Sequence, residues 1–280
     1  IVAMSDSRIL GSSHLDGVTL TATSEAGTYA VSNLTNVQPG KIWRSTSAGA
    51  QTITGDFGED KRSTAFCLYA HNLSNDGSAT VQVTLSNDSG HSDQVYNTTV
   101  EATDPLYGWG EGPYGMEGYG GYSSEGWAQP FTVVWFGSTY VARYFRVIIT
   151  DTSNSDGYVQ AGRIKVGQHI DVPVVSGYGM GWTEQTELTR TRGGALRSDS
   201  RDPFRYANAT SAVLDKIQEG DLLEVFRSVG KRGDVLWSAF PDDATAQTRR
   251  NTILGRLVDY GTADIQKVGS TVSFSIEEGL

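Results

Sequence analysis

Residues 79–85 read Ala-Thr-Val-Gln-Val-Thr-Leu, and this stretch sets the fold class. Its apolar side chains alternate with polar ones, so that Val81, Val83 and Leu85 share one face. Successive side chains of a β-strand point to opposite faces, so this alternation predicts a strand with one buried face. We therefore expect the three apolar residues to lie in a core and the threonine and glutamine residues between them to face outward.

Runs of the same kind recur through the first part of the chain, with turn residues roughly every 8–12 positions. They cover residues 18–22, 65–70, 131–136 and 144–149. Regularly spaced short strands of this kind favour an all-β sandwich. The single cysteine, Cys67, lies inside one of these runs, and we expect a buried core thiol there rather than a reactive one.

Composition excludes several classes of partner and scaffold. The 280 residues carry 22 Lys and Arg against 32 Asp and Glu, a net charge of −10. Binding to the nucleic-acid backbone needs a basic surface, so we expect no nucleic-acid partner. No apolar run approaches the roughly 18 residues that cross a bilayer, so we expect no membrane insertion. One cysteine cannot form an intrachain disulfide.

The pattern changes at residues 168–175, which predicts an N-terminal domain over 1–170 and a C-terminal domain over 171–280. The second part holds the one convincing helix, predicted over 221–229. Asp221 is a suitable N-cap residue and Gly230 a suitable residue for the left-handed position after the helix. Residues 192–195 predict a tight hairpin turn between flanking strands. The fold class is therefore mainly β, with a mixed β domain carrying one short α-helix after the sandwich.

Residues 104–130 form an unusual segment, in which six aromatic residues lie among eight glycines. A loop of this length inside a compact domain is typically functional or disordered, and disordered segments are poor in aromatic residues. We interpret the segment as a binding or assembly interface, with packing of the rings onto their own sandwich as the alternative. The candidate interface residues are Tyr107, Trp109, Tyr114, Tyr119, Tyr122 and Trp127.

Residues suited to catalysis or metal binding are scattered. The four histidines, His14, His71, His91 and His169, show no paired spacing. Residues 151–157 are rich in Asp, Asn and Ser but lack the alternating ligands and the distal Glu of a calcium loop, so they predict a β-turn. We therefore expect no catalytic residue, no metal and no cofactor. A glycosidase with carboxylates in the aromatic segment (Glu111, Glu117 and Glu125) is the least supported hypothesis.

The first part resembles the galactose-binding-like (discoidin, F5/8 type C) family of jelly-roll domains. The similar segments are residues 30–34 with 41–45, 55–58, 66–73, 142–147 and 158–167. Asn33-Leu34 followed by Trp43-Arg44-Ser45 looks like that family's opening motif. The resemblance implies an N-terminal jelly-roll sandwich with Trp43 closing its open end and Arg146 near that ring. The inserted segment 104–130 departs from the compact family pattern.

The second part resembles the C-terminal region of tail and baseplate proteins of long-tailed phages. Four segments carry this resemblance: the predicted helix 221–229, then residues 235–242, 253–257 and 271–278. It implies a structural role in a distal tail protein, with assembly as a homo-oligomer.

Together, the two resemblances imply a structural virion protein of the phage tail tip or baseplate, assembled in the host cytoplasm as a ring or trimer around the tail axis. The expected partners are other tail proteins and copies of the chain itself, with a host surface glycan as an optional further partner. The alternative is a secreted or surface carbohydrate-binding module whose aromatic segment stacks on sugar rings. Neither hypothesis makes the chain an enzyme.

Overall fold

Antiparallel β-sheets make up most of the structure. A computed structural model describes residues 7–38, 40–74, 77–103, 130–174, 178–184, 186–190, 192, 194–199, 203–242, 251–260, 264–266 and 269–279. In chain order the strands are β1 (Ser7–Leu10), β2 (Leu20–Ala22), β3 (Trp43–Arg44), β4 (Gln51–Tyr69), β5 (Thr80–Ser86), β6 (Gln94–Glu101), β7 (Phe131–Thr150), β8 (Gln160–Ala161), β9 (Arg163–Gly167), β10 (His169–Val172), β11 (Gly179–Thr183), β12 (Glu187–Arg190), β13 (Leu196–Asp199), β14 (Phe204–Thr210), β15 (Val235–Ser238), β16 (Thr252–Tyr260), β17 (Asp264–Gln266), β18 (Gly269–Thr271) and β19 (Ser273–Glu278). One α-helix, α1 (Lys216–Val229), and one 3₁₀ turn (Val31–Thr35) complete the described elements. The predicted mainly β class with a helix in its second part is confirmed.

The first sheet is built on two long strands, β4 and β7, which pair antiparallel along most of their length. Its order is β2-β4-β7-β5-β6, and β9 also pairs with β4. Val81, Val83 and Leu85 of β5 are fully buried in its core, as their alternation predicted, whereas Thr84, which was expected to face outward, is also fully buried. The pair β3–β8 carries Trp43, which lies in the same core. We call the first sheet together with this pair the sandwich.

Arg146 lies on the opposite face of this sheet from the core, contrary to the expected place beside Trp43. Its neighbours along β7, Phe145 and Val147, are both core residues. Because side chains alternate along a strand, Arg146 points away from the core that holds Trp43. It pairs across the sheet with Thr54 and Thr84.

The second sheet has seven strands in the order β10-β1-β15-β16-β19-β14-β11. Its strand β1 comes from the start of the chain and pairs with both β10 and β15. The sequence pattern had assigned residues 1–170 to the sandwich, whereas this first strand belongs to the sheet of the second part. Chain ends that are far apart in sequence therefore share one core, which includes Ile9, Trp237 and Ile276.

Helix α1 covers the second sheet but begins earlier than the sequence predicted. Leu222, Phe226 and Val229 are buried, and the rings of Phe226 and Phe274 lie 5.5 Å apart. The helix starts at Lys216, so the prediction of an N-terminus at Asp221 is wrong. Asp215 is the N-cap, because its carboxylate accepts from Ile217 N at 2.9 Å and Gln218 N at 2.8 Å. Gly230 follows the helix with the expected positive φ of 56°, but its ψ of −163° lies outside the predicted left-handed helical region.

Substituting Asp215 with alanine should lower the free energy of unfolding by about 1 kcal/mol, since two backbone amides of the first turn lose their acceptor. Urea denaturation monitored by circular dichroism measures this change. The matched control is Asp221→Ala, which removes the same carboxylate from an exposed position inside the helix and should not destabilise the protein. A larger loss for the control would contradict the assignment of the cap.

The two sheets pack against each other through a small apolar cluster that includes Leu10, Cys67, Tyr69, Phe131 and Leu236. Burial raises the pKa of Cys67 to about 12, so the thiol stays protonated and the prediction of a core cysteine is confirmed. Among the described residues no helix is long and apolar enough to cross a membrane.

Buried charges flank this apolar cluster. Arg163 and Lys165 of β9 are fully buried and both contact the carboxylate of Asp234, which precedes β15. On the same interface, Glu278 accepts from Tyr69 at 3.1 Å and pairs with Arg205 at 2.8 Å. The sandwich and the second sheet are therefore joined by polar contacts as well as by apolar packing.

Candidate functional site

Arg44 is held between two tyrosine rings at one end of the sandwich. Its guanidinium carbon lies 4.4 Å from the ring centroid of Tyr29 and 4.1 Å from that of Tyr158. Gln160 Oε1 accepts from Arg44 Nε at 3.3 Å and from Nη2 at 2.9 Å. Nη1 has no hydrogen-bond partner among the described residues. We call Tyr29, Arg44, Tyr158 and Gln160 the tyrosine–arginine clamp.

Local backbone structure sets the position of each member of the clamp. A tight turn over residues 26–29, closed by Tyr29 N donating to Ala26 O at 3.1 Å, places the Tyr29 ring. Gly27 adopts φ 59° in this turn, a conformation that other residues rarely take. The pairing of β3 with β8 sets Arg44 opposite Gln160.

Asn72 holds the segment that carries Tyr158. Its amide nitrogen donates to Tyr158 O at 3.0 Å and to Asp156 Oδ2 at 2.9 Å, and its oxygen accepts from Gln160 N at 2.7 Å. Both sides of the clamp are thus fixed by hydrogen bonds to backbone before any ligand arrives. Such a preformed arrangement lowers the entropic cost of binding.

The turn at residues 151–157 lies beside the clamp and has a structural role. Asp151 is fully buried and accepts from Ser74 N at 2.8 Å and from Asn154 Nδ2 at 3.0 Å. Asp156 N donates to Asn154 Oδ1 at 2.9 Å, which is an Asx-turn, as predicted from the sequence. Within the described parts of the chain, no three His, Cys, Asp or Glu residues are grouped as metal ligands.

The two described residues that flank the aromatic segment, Thr103 and Pro130, lie at this same end of the sandwich. Thr103, the last described residue before it, donates through Oγ1 to Ser74 O at 2.7 Å. Pro130, the first described residue after it, accepts from His71 N at 3.3 Å. The six predicted interface residues themselves lie outside the described residues: Tyr107, Trp109, Tyr114, Tyr119, Tyr122 and Trp127.

The four histidines are spread over the molecule in separate structural contacts. His14 contacts Arg62 O at 2.7 Å, and burial lowers the pKa of its ring. His71 is buried against Thr132 Oγ1 at 3.1 Å, and His91 contacts Ser86 Oγ at 2.6 Å. His169 packs edge-on against the Trp135 ring at 5.3 Å. The structure thus brings no two of them together.

The clamp combines stacking surface with fixed hydrogen-bond donors. Tyr29 remains 36% exposed, so part of its ring is available to a ligand. The guanidinium keeps its charge at all physiological pH values, and its planar donors suit oxygen acceptors. Such a surface can stack against a ring with an apolar face and donate to the oxygens around its edge.

Sequence reasoning found Arg44 only as part of a structural motif and missed both tyrosines. The local signal was weak. Tyr29 follows a turn that contains Gly27, and Tyr158 follows a Ser-Asp-Gly turn more than one hundred residues later in the chain. Convergence of the two rings depends on the pairing of β3 with β8, which no local pattern reveals.

Comparison with known proteins finds similarity at the level of solved structures. No family model matches the chain, and no curated protein matches it. The chitosan-binding module 1 of a Paenibacillus sp. IK-5 chitosanase/glucanase is 20% identical, covering 56% of this chain and 99% of the module, with a TM-score of 0.38. A Streptococcus pneumoniae fucose-binding module is 10% identical over 56% of this chain and 95% of its own, with a TM-score of 0.39.

A third similar structure is the family 32 carbohydrate-binding module of Clostridium perfringens NanJ, solved with galactose. It is 16% identical over 58% of this chain and 99% of its own, with a TM-score of 0.37. None of these three is a phage tail protein. With TM-scores below 0.5, these similarities carry no functional inference, which must come from the geometry of this chain.

Proposed function

We propose that the protein binds carbohydrate at the tyrosine–arginine clamp, as a non-catalytic binding module with a galactose-binding-like sandwich. The observation that supports this most directly is the Arg44 guanidinium, fixed between the rings of Tyr29 and Tyr158 with Nη1 left for a ligand. Thr103 and Pro130, which flank the aromatic segment, form hydrogen bonds with Ser74 and His71 near this clamp.

The chemistry of a sugar suits this surface. A pyranose ring has an apolar C–H face, which can lie against the exposed part of the Tyr29 ring. Its edge carries hydroxyl oxygens, which accept from the guanidinium. Recognition by one stacking face and a few convergent donors is typical of small-molecule sites. Galactose is a suitable first probe, because it presents an apolar C–H face and hydroxyl oxygens around its edge.

Substituting Arg44 with alanine should weaken the affinity for the glycan that the protein binds by about 10- to 100-fold. A hydrogen bond to a charged donor contributes roughly 1.5–3 kcal/mol to such binding. Glycan-array screening identifies the ligand, and isothermal titration calorimetry measures the change. The matched control is Arg143→Ala, because Arg143 also lies over a tyrosine ring, Tyr144, at 5.2 Å but outside the clamp. Equal losses for both variants, or binding unaffected by Arg44→Ala, would contradict the proposal.

A second candidate function is the structural role in a phage tail tip or baseplate, in a virion assembled in the host cytoplasm. The edge strand β11 of the second sheet favours it. Trp182 of that strand is 43% exposed, and the hairpin β12–β13 that follows carries the exposed Leu196. Exposed edges with apolar side chains are common sites of strand addition between subunits.

Solution mass separates the two candidates. A ring or trimer subunit should show a multiple of the 30.2 kDa chain mass by light scattering. Trp182→Glu should then return the chain to a monomer, because it places a charge in the subunit contact. A chain that is monomeric at high concentration and retained on a glycan column would contradict the assembly role.

A further inference from the structure

A cleft of about 520 Å³ lies where the sandwich meets the second sheet. Its walls come from residues 133–139 of β7, from Thr64 of β4, from β1 and β10, and from residues 241–242 after β15. A volume of this size accommodates a small ring-shaped ligand. We call it the junction cleft.

A charged cluster lines one side of the junction cleft. Arg8 contacts Asp171 Oδ1 at 3.2 Å through Nε and Asp242 Oδ1 at 3.0 Å through Nη1. Its guanidinium also lies 5.6 Å from the ring centroid of Trp135. His169 packs edge-on against the same indole, and its Nε2 lies 3.7 Å from Asp171 Oδ1. Burial lowers the pKa of His169, so its imidazole is neutral near pH 7.

The charges in the cleft do not balance. Among the described residues that line it, two carboxylates face one guanidinium, which leaves one negative charge uncompensated. Asp171 and Asp242 keep 55% and 60% of their side-chain surface exposed. Asp171 uses only Oδ1 toward Arg8, and its Oδ2 has no hydrogen-bond partner among the described residues. An added cation next to Asp171 would complete a neutral array of four charges.

We propose that the junction cleft binds an amino sugar, whose ammonium group pairs with Asp171 and Asp242 and whose ring occupies the space beside Trp135. Hydroxyl-bearing side chains of the cleft, Thr64, Ser138 and Thr139, provide partners for the sugar hydroxyls. An ammonium ion donates three hydrogen bonds and is attracted to carboxylates. This second site does not depend on the tyrosine–arginine clamp.

Four small probes test the proposal by calorimetric titration: glucosamine, glucose, N-acetylglucosamine and putrescine. Glucosamine should bind about tenfold more tightly than glucose or N-acetylglucosamine, which lack the ammonium charge. Glucosamine should also bind more tightly than putrescine, which carries two ammonium charges but has no ring. Equal binding of glucosamine and glucose, or of glucosamine and putrescine, would overturn the proposal.

Variants place the binding in the cleft. Asp171→Asn should lower the affinity for glucosamine about tenfold, because it removes the uncompensated charge and keeps the shape of the side chain. Asp221→Asn on the exposed face of α1 makes the same change of charge elsewhere and serves as the control. A loss of affinity that is the same for both variants would show a non-specific charge effect and overturn the assignment.

Repeating the titrations in the Arg44→Ala protein separates this site from the clamp. Glucosamine should retain its affinity for the cleft there and lose it again when Asp171→Asn is added. Tryptophan fluorescence gives a second readout, since the change on adding glucosamine should disappear in Trp135→Phe. Binding that vanishes with Arg44→Ala alone would assign the amino sugar to the clamp and overturn the cleft site.

Discussion

Replacing Asp234 with alanine should lower the free energy of unfolding by about 3–5 kcal/mol, because the change leaves two buried cations without their anion. Arg163 Nε lies 2.8 Å from Asp234 Oδ2, and Lys165 Nζ lies 3.0 Å from Asp234 Oδ1. Both cations are fully buried between the sandwich and the second sheet. Within the described residues, Arg163 has a second carboxylate partner, Asp16, at 2.7 Å, and Lys165 has none.

Chemical denaturation in urea measures the effect, with Asp234→Asn as the conservative comparison. The amide keeps the size and part of the hydrogen bonding, so the asparagine variant should lose less than the alanine variant. The matched surface control is Glu224→Ala, which breaks an exposed pair with Arg227 and should leave the unfolding midpoint unchanged. An Asp234→Ala protein as stable as this control would show that the network does not join the two sheets.

The same carboxylate predicts acid sensitivity. Burial by itself would raise the pKa of Asp234, but Lys165 and Arg163 outweigh it and hold the pKa at about 2. Its value in the unfolded chain is about 3.9, so the folded state favours the ionised form. The stabilisation is therefore complete above about pH 4 and is lost as the pH falls toward 2. Asp234→Asn should flatten this part of the stability profile.

The local sequence pattern was sufficient to predict elements whose partners are near in sequence or whose apolar and polar side chains alternate. Strand β5 follows from Val81, Val83 and Leu85, and burial of Cys67 follows from the apolar run around it. The predicted N-terminus of the helix was wrong because Asp215 and Asp221 are both suitable N-cap residues. The sequence alone did not show which of them precedes the first turn.

Long-range pairing could not be predicted in this way. Strand β1 joins the second sheet through β15, which lies more than two hundred residues later in the chain. The sequence of residues 7–10 contains no pattern that indicates this pairing. Both candidate sites depend on such contacts. Arg8 meets Asp242 only because β1 lies beside β15, and Tyr29 meets Arg44 only because a turn folds back onto β3. Sequence reasoning therefore missed both groups of residues, because each group forms only through contacts between distant parts of the chain.

Replacing Trp43 with alanine should cost about 3–5 kcal/mol of stability, the range found for large aromatic residues removed from a core. Trp43 is 0% exposed and belongs to the core of the sandwich, as the sequence predicted. Its indole Nε1 also donates to Ser24 O at 3.1 Å, which ties the segment before the Tyr29 turn to strand β3. The variant therefore loses both apolar burial and one hydrogen bond.

Two comparison variants make this measurement specific. Trp43→Phe keeps most of the buried volume but loses the donor to Ser24, so it should be less destabilised than Trp43→Ala. Trp182→Ala removes the same side chain from a position that is 43% exposed and should change the unfolding midpoint little. Because Trp43 precedes Arg44, the alanine variant should also disturb the clamp, and glycan binding should weaken even where the protein remains folded. A Trp43→Ala protein with an unchanged melting temperature would contradict the role of this ring in closing the sandwich.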